Sequence, residues 1–214
     1  MYILTRSGRQ FHYDHPTVDS VHIDDVAHAL AHVNRFTGHT RYAFSVAQHC
    51  VAVSHMLEAQ GHPLDIVMAG LLHDAHEAYF GDVATPLKRF LGIADKEKLI
   101  QVVVLEALGS TLDLANAPAV KLADLTALAV ERAHLMPQDQ ERWAILDVVT
   151  DALRQLMPEP RPMEPGEAKQ TFLMRYRQLK QRLAATLATS EPHPCPGARN
   201  AAHCTSPHLL AEAV

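Results

Sequence analysis

Apolar residues recur at spacings of three and four from residue 24 almost to residue 188, and glycines and prolines cut that run into helix-sized lengths. A chain with this period buries its apolar stripes by packing helix on helix, so the expected fold class is all-α. The first stretch, "DDVAHALAHVNRF", carries Val26, Ala29, Leu30 and Val33 on one face, with Asp24 or Asp25 as its cap. A second helix over about 43–60 has Val46, Cys50, Val53 and Leu57 as its stripe and ends near Gly61. The spacing predicts a third over 64–80, a fourth over 95–108 and a fifth over 118–135, with Pro118 in the first turn of the last. A sixth is expected over 138–157 and another over 167–188. Pro86 marks "DVATPLKR" as loop followed by a short turn.

Ahead of the helices, "YILT" and "QFHY" flank Ser7, Gly8 and Arg9 as a small hairpin. The expected organisation is therefore an arm at 1–20 and a helical core at 21–158. A linker and peripheral C-terminal helix follow at 159–189, then a disordered tail at 190–214. Cys50, Cys195 and Cys204 are too few and too unevenly spaced for a disulfide framework. The chain has neither a secretory leader nor a run of 18 apolar residues, so a cytoplasmic protein without a membrane partner is expected. A net charge of -5 offers no general attraction for nucleic acid, and no stable nucleic-acid partner is expected.

One stretch breaks the apolar pattern. "GLLHDAHEAYFGDVATPLKR" sets His73 and Glu77 on the face that Ile66, Ala69 and Gly70 turn inward, with Asp74 about 100° around the helix. A carboxylate at the edge of a packed face is costly unless it is paired, protonated or bound to a cation. His49 lies inside the second helix's stripe, three residues after Val46, and Asp124 has Val120 and Leu128 four residues to either side. Each alone reads equally well as a hydrogen-bonded core residue. Together, His49, His73, Asp74 and Asp124 make a mixed nitrogen and oxygen set suited to a divalent metal.

His76 faces away from Asp74 and reads as surface or support. His28 and His32 could share a face, but no nearby thiol or acidic residue makes a metal site persuasive at His22, His28 and His32. The tail residues His193, Cys195, His203 and Cys204 fit no compact zinc motif.

The ordered set His49, His73-Asp74 and Asp124 resembles the metal motif of the HD-domain phosphohydrolases. Two longer segments, "NRFTGHTRYAFSVAQHC" and "LLHDAHEAYFGDVATPLKR", resemble the bacterial and phage branch that contains 5'-deoxynucleotidases and deoxynucleoside triphosphate triphosphohydrolases. The likeness spans roughly residues 20 to 135. It implies an antiparallel helical bundle, a homo-oligomer (dimer or hexamer), and a divalent ion, Zn, Co or Mn, with an additional Mg if the substrate is a triphosphate. It also implies that Glu77 lies near the attacking water, Asp82 near the deoxyribose and Arg35 on the phosphate. Phe36 stands where the monophosphatase pattern has Trp, and Gln48 where it has Glu. The "GHT" segment is closer to phage-associated relatives, some of which hydrolyse dATP.

Phosphoryl transfer needs a nucleophile, compensation of phosphate charge and a group that orients or deprotonates water. A metal on the four ligands, with Glu77 and Arg35 beside it, meets those needs. His39, Arg41 and Lys88 are candidate contacts for phosphate, each with an equal reading as a solvated cation. The expected substrate is a 2'-deoxynucleotide: a 5'-deoxynucleoside monophosphate, with a dNTP such as dATP as alternative. A non-catalytic metal-binding assembly protein is the alternative of another class.

Overall fold

A computed structural model describes residues 1–190, so the tail reading and its His193, Cys195, His203 and Cys204 lie outside the described residues. Helices dominate, behind one two-stranded antiparallel hairpin of β1 (Tyr2–Leu4) and β2 (Gln10–His12) in which Ile3 faces Phe11. The hairpin is tied down at two points. Its turn is held by Asp25, which accepts bonds from Ser7 N at 2.9 Å, Ser7 Oγ at 2.6 Å and Thr5 Oγ1 at 2.9 Å. Phe11 is fully buried and stacks on Tyr79 with ring centroids 4.0 Å apart.

That use of Asp25 explains a difference at α1 (Ile23–His32). The cap is His22, whose side chain accepts from the Asp24 backbone, and Asp25 points inward to the hairpin. The helix also stops at His32, short of the expected Phe36. Val33 turns extended, Asn34 bridges to Ser45, and Phe36 and Thr37 both adopt φ 55°. These left-handed residues cannot continue a right-handed helix, and they throw the 35–44 loop back toward α2.

α2 (Val46–Ala59) begins with a capping box: Ser45 Oγ accepts from Gln48 N, and Gln48 Oε1 accepts from Ser45 N. It is the central helix, packed against α1, α3, α8 and α10. The single helix expected over 64–80 is instead α3 (Leu64–Leu72), a turn, and α4 (Glu77–Phe80). The His73 ring donates from Nδ1 to Gly70 O at 2.8 Å, and the backbone bonds tighten to three-residue steps, Ala75 N to Leu72 O and Glu77 N to Asp74 O. A tight turn thus replaces regular helix where the polar residues cluster.

Pro86 occupies the first turn of a further helix, α5 (Thr85–Leu91), where its missing N–H removes no helical bond; the loop reading of this segment is corrected. No α5 residue is buried. α6 (Ala94–Ala107), the short α7 (Leu112–Ala115) and α8 (Pro118–Leu135) follow, the last with the expected bounds. The helix expected over 138–157 is mostly loop, with a 3-10 turn at Ala144–Leu146 and only α9 (Asp151–Leu156) helical. Arg132 organises that loop: its guanidinium lies 4.3 Å from the Trp143 ring centre, and it bonds Asp139 and the Glu141 carbonyl.

α10 (Pro165–Ser190) was expected to be peripheral. It packs on α1, α2 and α3 and sends Phe172, Leu173 and Leu179 into the core. Arg175, 4% exposed, bonds Ser54 Oγ at 3.0 Å, Ser54 O at 3.2 Å and Glu58 at 2.7 Å. An Arg175→Ala variant loses charge-assisted bonds in a buried setting and is expected to be less stable by about 2–3 kcal/mol. Urea unfolding monitored by circular dichroism measures this. A loss below about 0.5 kcal/mol, the range of ordinary surface changes, would show that the arginine does not fasten α10.

Candidate metal centre

Three structural units bring the acidic and imidazole groups together: α2 supplies His49, the turn after α3 supplies His73 and Asp74, and α8 supplies Asp124. One ligand atom from each lies within 4.8 Å of every other. His49 Nε2 is 3.3 Å from His73 Nε2 and 3.2 Å from Asp124 Oδ1, while His73 Nε2 is 3.1 Å from Asp74 Oδ2.

The outer nitrogens fix what the inner ones present. His73 Nδ1 faces the Gly70 carbonyl at 2.8 Å and His49 Nδ1 faces Glu131 Oε1 at 2.6 Å, so both Nδ1 atoms carry hydrogen. In the neutral rings both Nε2 atoms then offer lone pairs to one space that two carboxylate oxygens also line. Nitrogen and oxygen acceptors that converge on one space in this way are suited to a divalent cation. Charge balance agrees. Burial disfavours a positive ring at His49, as does Arg35, yet Glu131 and Asp124 raise its pKa. At His73, Asp74 and Asp124 overcome burial more strongly still. Burial also opposes ionisation of Asp74, but His73 holds its carboxyl far below the ordinary carboxylate range.

Glu131 was missed by the sequence reading. It is 2% exposed, orients His49 and accepts from Arg35 Nε at 3.2 Å. Its signal was present: it follows Asp124 by seven residues, two helical turns, and so repeats the same face of α8. A carboxylate behind a ligating imidazole sets its tautomer and increases its basicity.

Arg35 is buried beside the cluster, 3.8 Å from Asp82 and 4.0 Å from Asp74. Burial works against its charge, but Glu131, Asp82 and Asp74 outweigh that cost and keep it a firm cation. Glu77 is 3% exposed, and its Oε2 has no hydrogen-bond partner. Burial, then Asp74 and Asp82, push its carboxyl well above the ordinary range, against the pull of Arg35 and Lys88. Asp82 is shifted upward by burial in spite of Arg35.

The remaining residues divide. Lys88 reaches in from α5 and pairs with Glu97 of α6, whose carboxylate also meets His76 Nε2 at 3.1 Å. His76 is 3% exposed and engaged, so of its two readings, surface or support, the surface one is corrected and the supporting one fits. Gln101 braces the same region by donating to His73 O at 3.0 Å. His39 and Arg41 are exposed, and none of the cluster's ion pairs reaches their side chains. Gln48 turns away from the centre and donates to Arg161 O at 2.9 Å.

An all-helical scaffold carrying His, His-Asp and Asp in this order is consistent with an HD-type metal site, and its chemistry suits metal-dependent hydrolysis. Among the described residues, no helix is long and apolar enough to cross a membrane. No family model matches the chain. The chain is similar to uncharacterized protein YfdR of Escherichia coli (strain K12), 35% identical over 183 residues that cover 84% of this chain and 96% of the relative. It is also similar to uncharacterized protein RCAP_rcc00048 of Rhodobacter capsulatus, 35% identical over 138 residues covering 60% of this chain and 70% of the relative.

Proposed function

The chain belongs to the same family as YfdR of Escherichia coli, and we propose that it is an HD-domain phosphohydrolase that releases phosphate from 5'-deoxynucleoside monophosphates. The observation that carries this reading is the placement of Glu77 and Arg35 against the four-acceptor cluster. A structural metal site has no need of a buried carboxyl with a free oxygen beside it.

A divalent ion held by His49, His73, Asp74 and Asp124 supplies Lewis acidity and makes water more acidic at neutral pH. Arg35 offers a planar fork to phosphate oxygens and is held in place by Glu131. Glu77 Oε2 takes the proton that the attacking water gives up; burial, which increases the carboxyl's proton affinity, suits it to hold that proton. The water oxygen bonds to phosphorus as the bond from phosphorus to the 5' oxygen breaks, and the proton taken up by Glu77 is passed on to the leaving 5' oxygen, so the nucleoside departs neutral. Asp82, beside Arg35, is the acceptor for the sugar 3'-hydroxyl.

Lys88 is neutralised by Glu97, and His39 and Arg41 are exposed outside the cluster of contacts. Both facts favour a single phosphate over a longer chain. Metal-loaded protein incubated with dNMPs, NMPs and dNTPs, with separation of the products, tests the reading. Nucleoside and phosphate are expected from dNMPs. Consumption of dNTPs without dNMP hydrolysis would replace this reading by the triphosphohydrolase alternative. Folded, metal-loaded protein that turns over none of them with any divalent ion would overturn both.

A further inference from the structure

We propose that His12, Asp14 and His15, at the end of the N-terminal hairpin, form a second divalent-metal site that shares no residue with the centre built from α2, the turn after α3 and α8. It does not depend on the hydrolase reading.

Strand alternation begins the arrangement. Phe11 is fully buried against Tyr79, so the next residue, His12, turns to the opposite face of β2. Tyr13 then anchors the chain to the helices, its hydroxyl donating to Tyr79 O at 2.7 Å and its backbone N–H to Met1 O at 3.0 Å. Beyond that anchor the chain bends and brings Asp14 and His15 back beside His12. The His12 and His15 rings stack with centroids 4.6 Å apart, and His15 Nδ1 is 3.0 Å from Asp14 Oδ1. One ligand atom from each of the three residues lies within 4.8 Å of the other two.

Hydrogen bonding leaves one of these groups unserved. His12 Nε2 meets Gln10 Oε1, an acceptor, at 3.3 Å, so the hydrogen sits on Nε2 and the lone pair on Nδ1. That Nδ1 is buried and has no hydrogen-bond partner, a costly state for a polar atom. Asp14 also accepts from the Met1 amine at 3.3 Å, the cation with which a bound ion would compete. Two imidazoles and one carboxylate are a donor set for Zn, Ni or Cu. The Asp14 and His15 side chains are 57% and 67% exposed, so an ion can enter from solvent and keep water in its shell. An ion held there joins the last residue of β2 to the bend and braces the segment whose Phe11 and Tyr13 grip Tyr79.

Because it is open, the hairpin site is expected to give up its ion on dialysis against a chelator, and titration with free Zn2+ reads it. Asp74→Ala protein, in which the first centre is weakened, is the background for that titration. Calorimetry should still show zinc binding there, and NMR should show the His12 and His15 ring signals shifting as zinc is added. His15→Gln in the same background should weaken this binding by at least about tenfold, since even changes behind a ligand cost that much. Asp14→Asn should weaken it in the same direction. Both positions are exposed, so circular dichroism should be unchanged. An Asp74→Ala protein that binds no zinc would overturn the proposal. Zinc binding of equal strength after His15→Gln, or ring signals that do not move, would overturn it as well, because the ion would then be held elsewhere.

Discussion

Asp74→Ala protein is expected to retain its helical spectrum while binding divalent metal at least about 100-fold more weakly, because even changes behind a ligand cost 10- to 100-fold. The Asp74 carboxylate reaches both rings, 3.1 Å from His73 Nε2 and 3.6 Å from His49 Nε2, as Asp124 does at 3.8 Å and 3.2 Å. Its removal leaves the two imidazole lone pairs with only Asp124 to complete the set, and it also takes away one of the acids that fix Arg35. Hydrolysis should fall with metal content. Metal analysis after dialysis against a chelator, beside circular dichroism of the same sample, reads both quantities. A variant that keeps its metal and its turnover would remove Asp74 from the ligand set.

Glu77→Gln is expected to behave in the opposite sense on metal. Glutamine keeps the shape of the side chain and adds no charge to a buried position that Asp74 and Asp82 already crowd, so the amide is compatible with the fold. Metal content should stay near the wild-type value. Turnover should drop by about 10²- to 10⁴-fold, the usual contribution of a positioned acid or base. The loss should appear in kcat more than in KM, because the amide still occupies the site but cannot take a proton. Full activity in Glu77→Gln would end its role at the reacting water. Loss of metal would recast it as a ligand.

The helical character of the chain and the inward faces of His49 and Asp124 were legible because both follow from periodicity along one helix. α8 came out with its observed bounds, since Pro118 and an unbroken stripe leave little choice. What periodicity does not carry is the meeting of two faces. The break after Leu72 depends on the His73 ring taking the Gly70 carbonyl, and the loop before α9 depends on Arg132 meeting Trp143. Glu131 lay on the right face but gains its meaning only from His49, 82 positions earlier in the chain. Glu97 and His76 likewise become part of the site only when α6 folds beside α4.

The packing of α10 bears on how the protein is made. During synthesis the last of the four acceptors, Asp124, emerges well before Phe172, Leu173 and Leu179, which finish the core against α1, α2 and α3. At ordinary translation speeds of about 5–20 residues per second, that gap lasts seconds. For that time a growing chain holds all four acceptors of the cluster but an open hydrophobic flank. An ion bound in that interval would tether α2 to α8 while the final helix is still on its way.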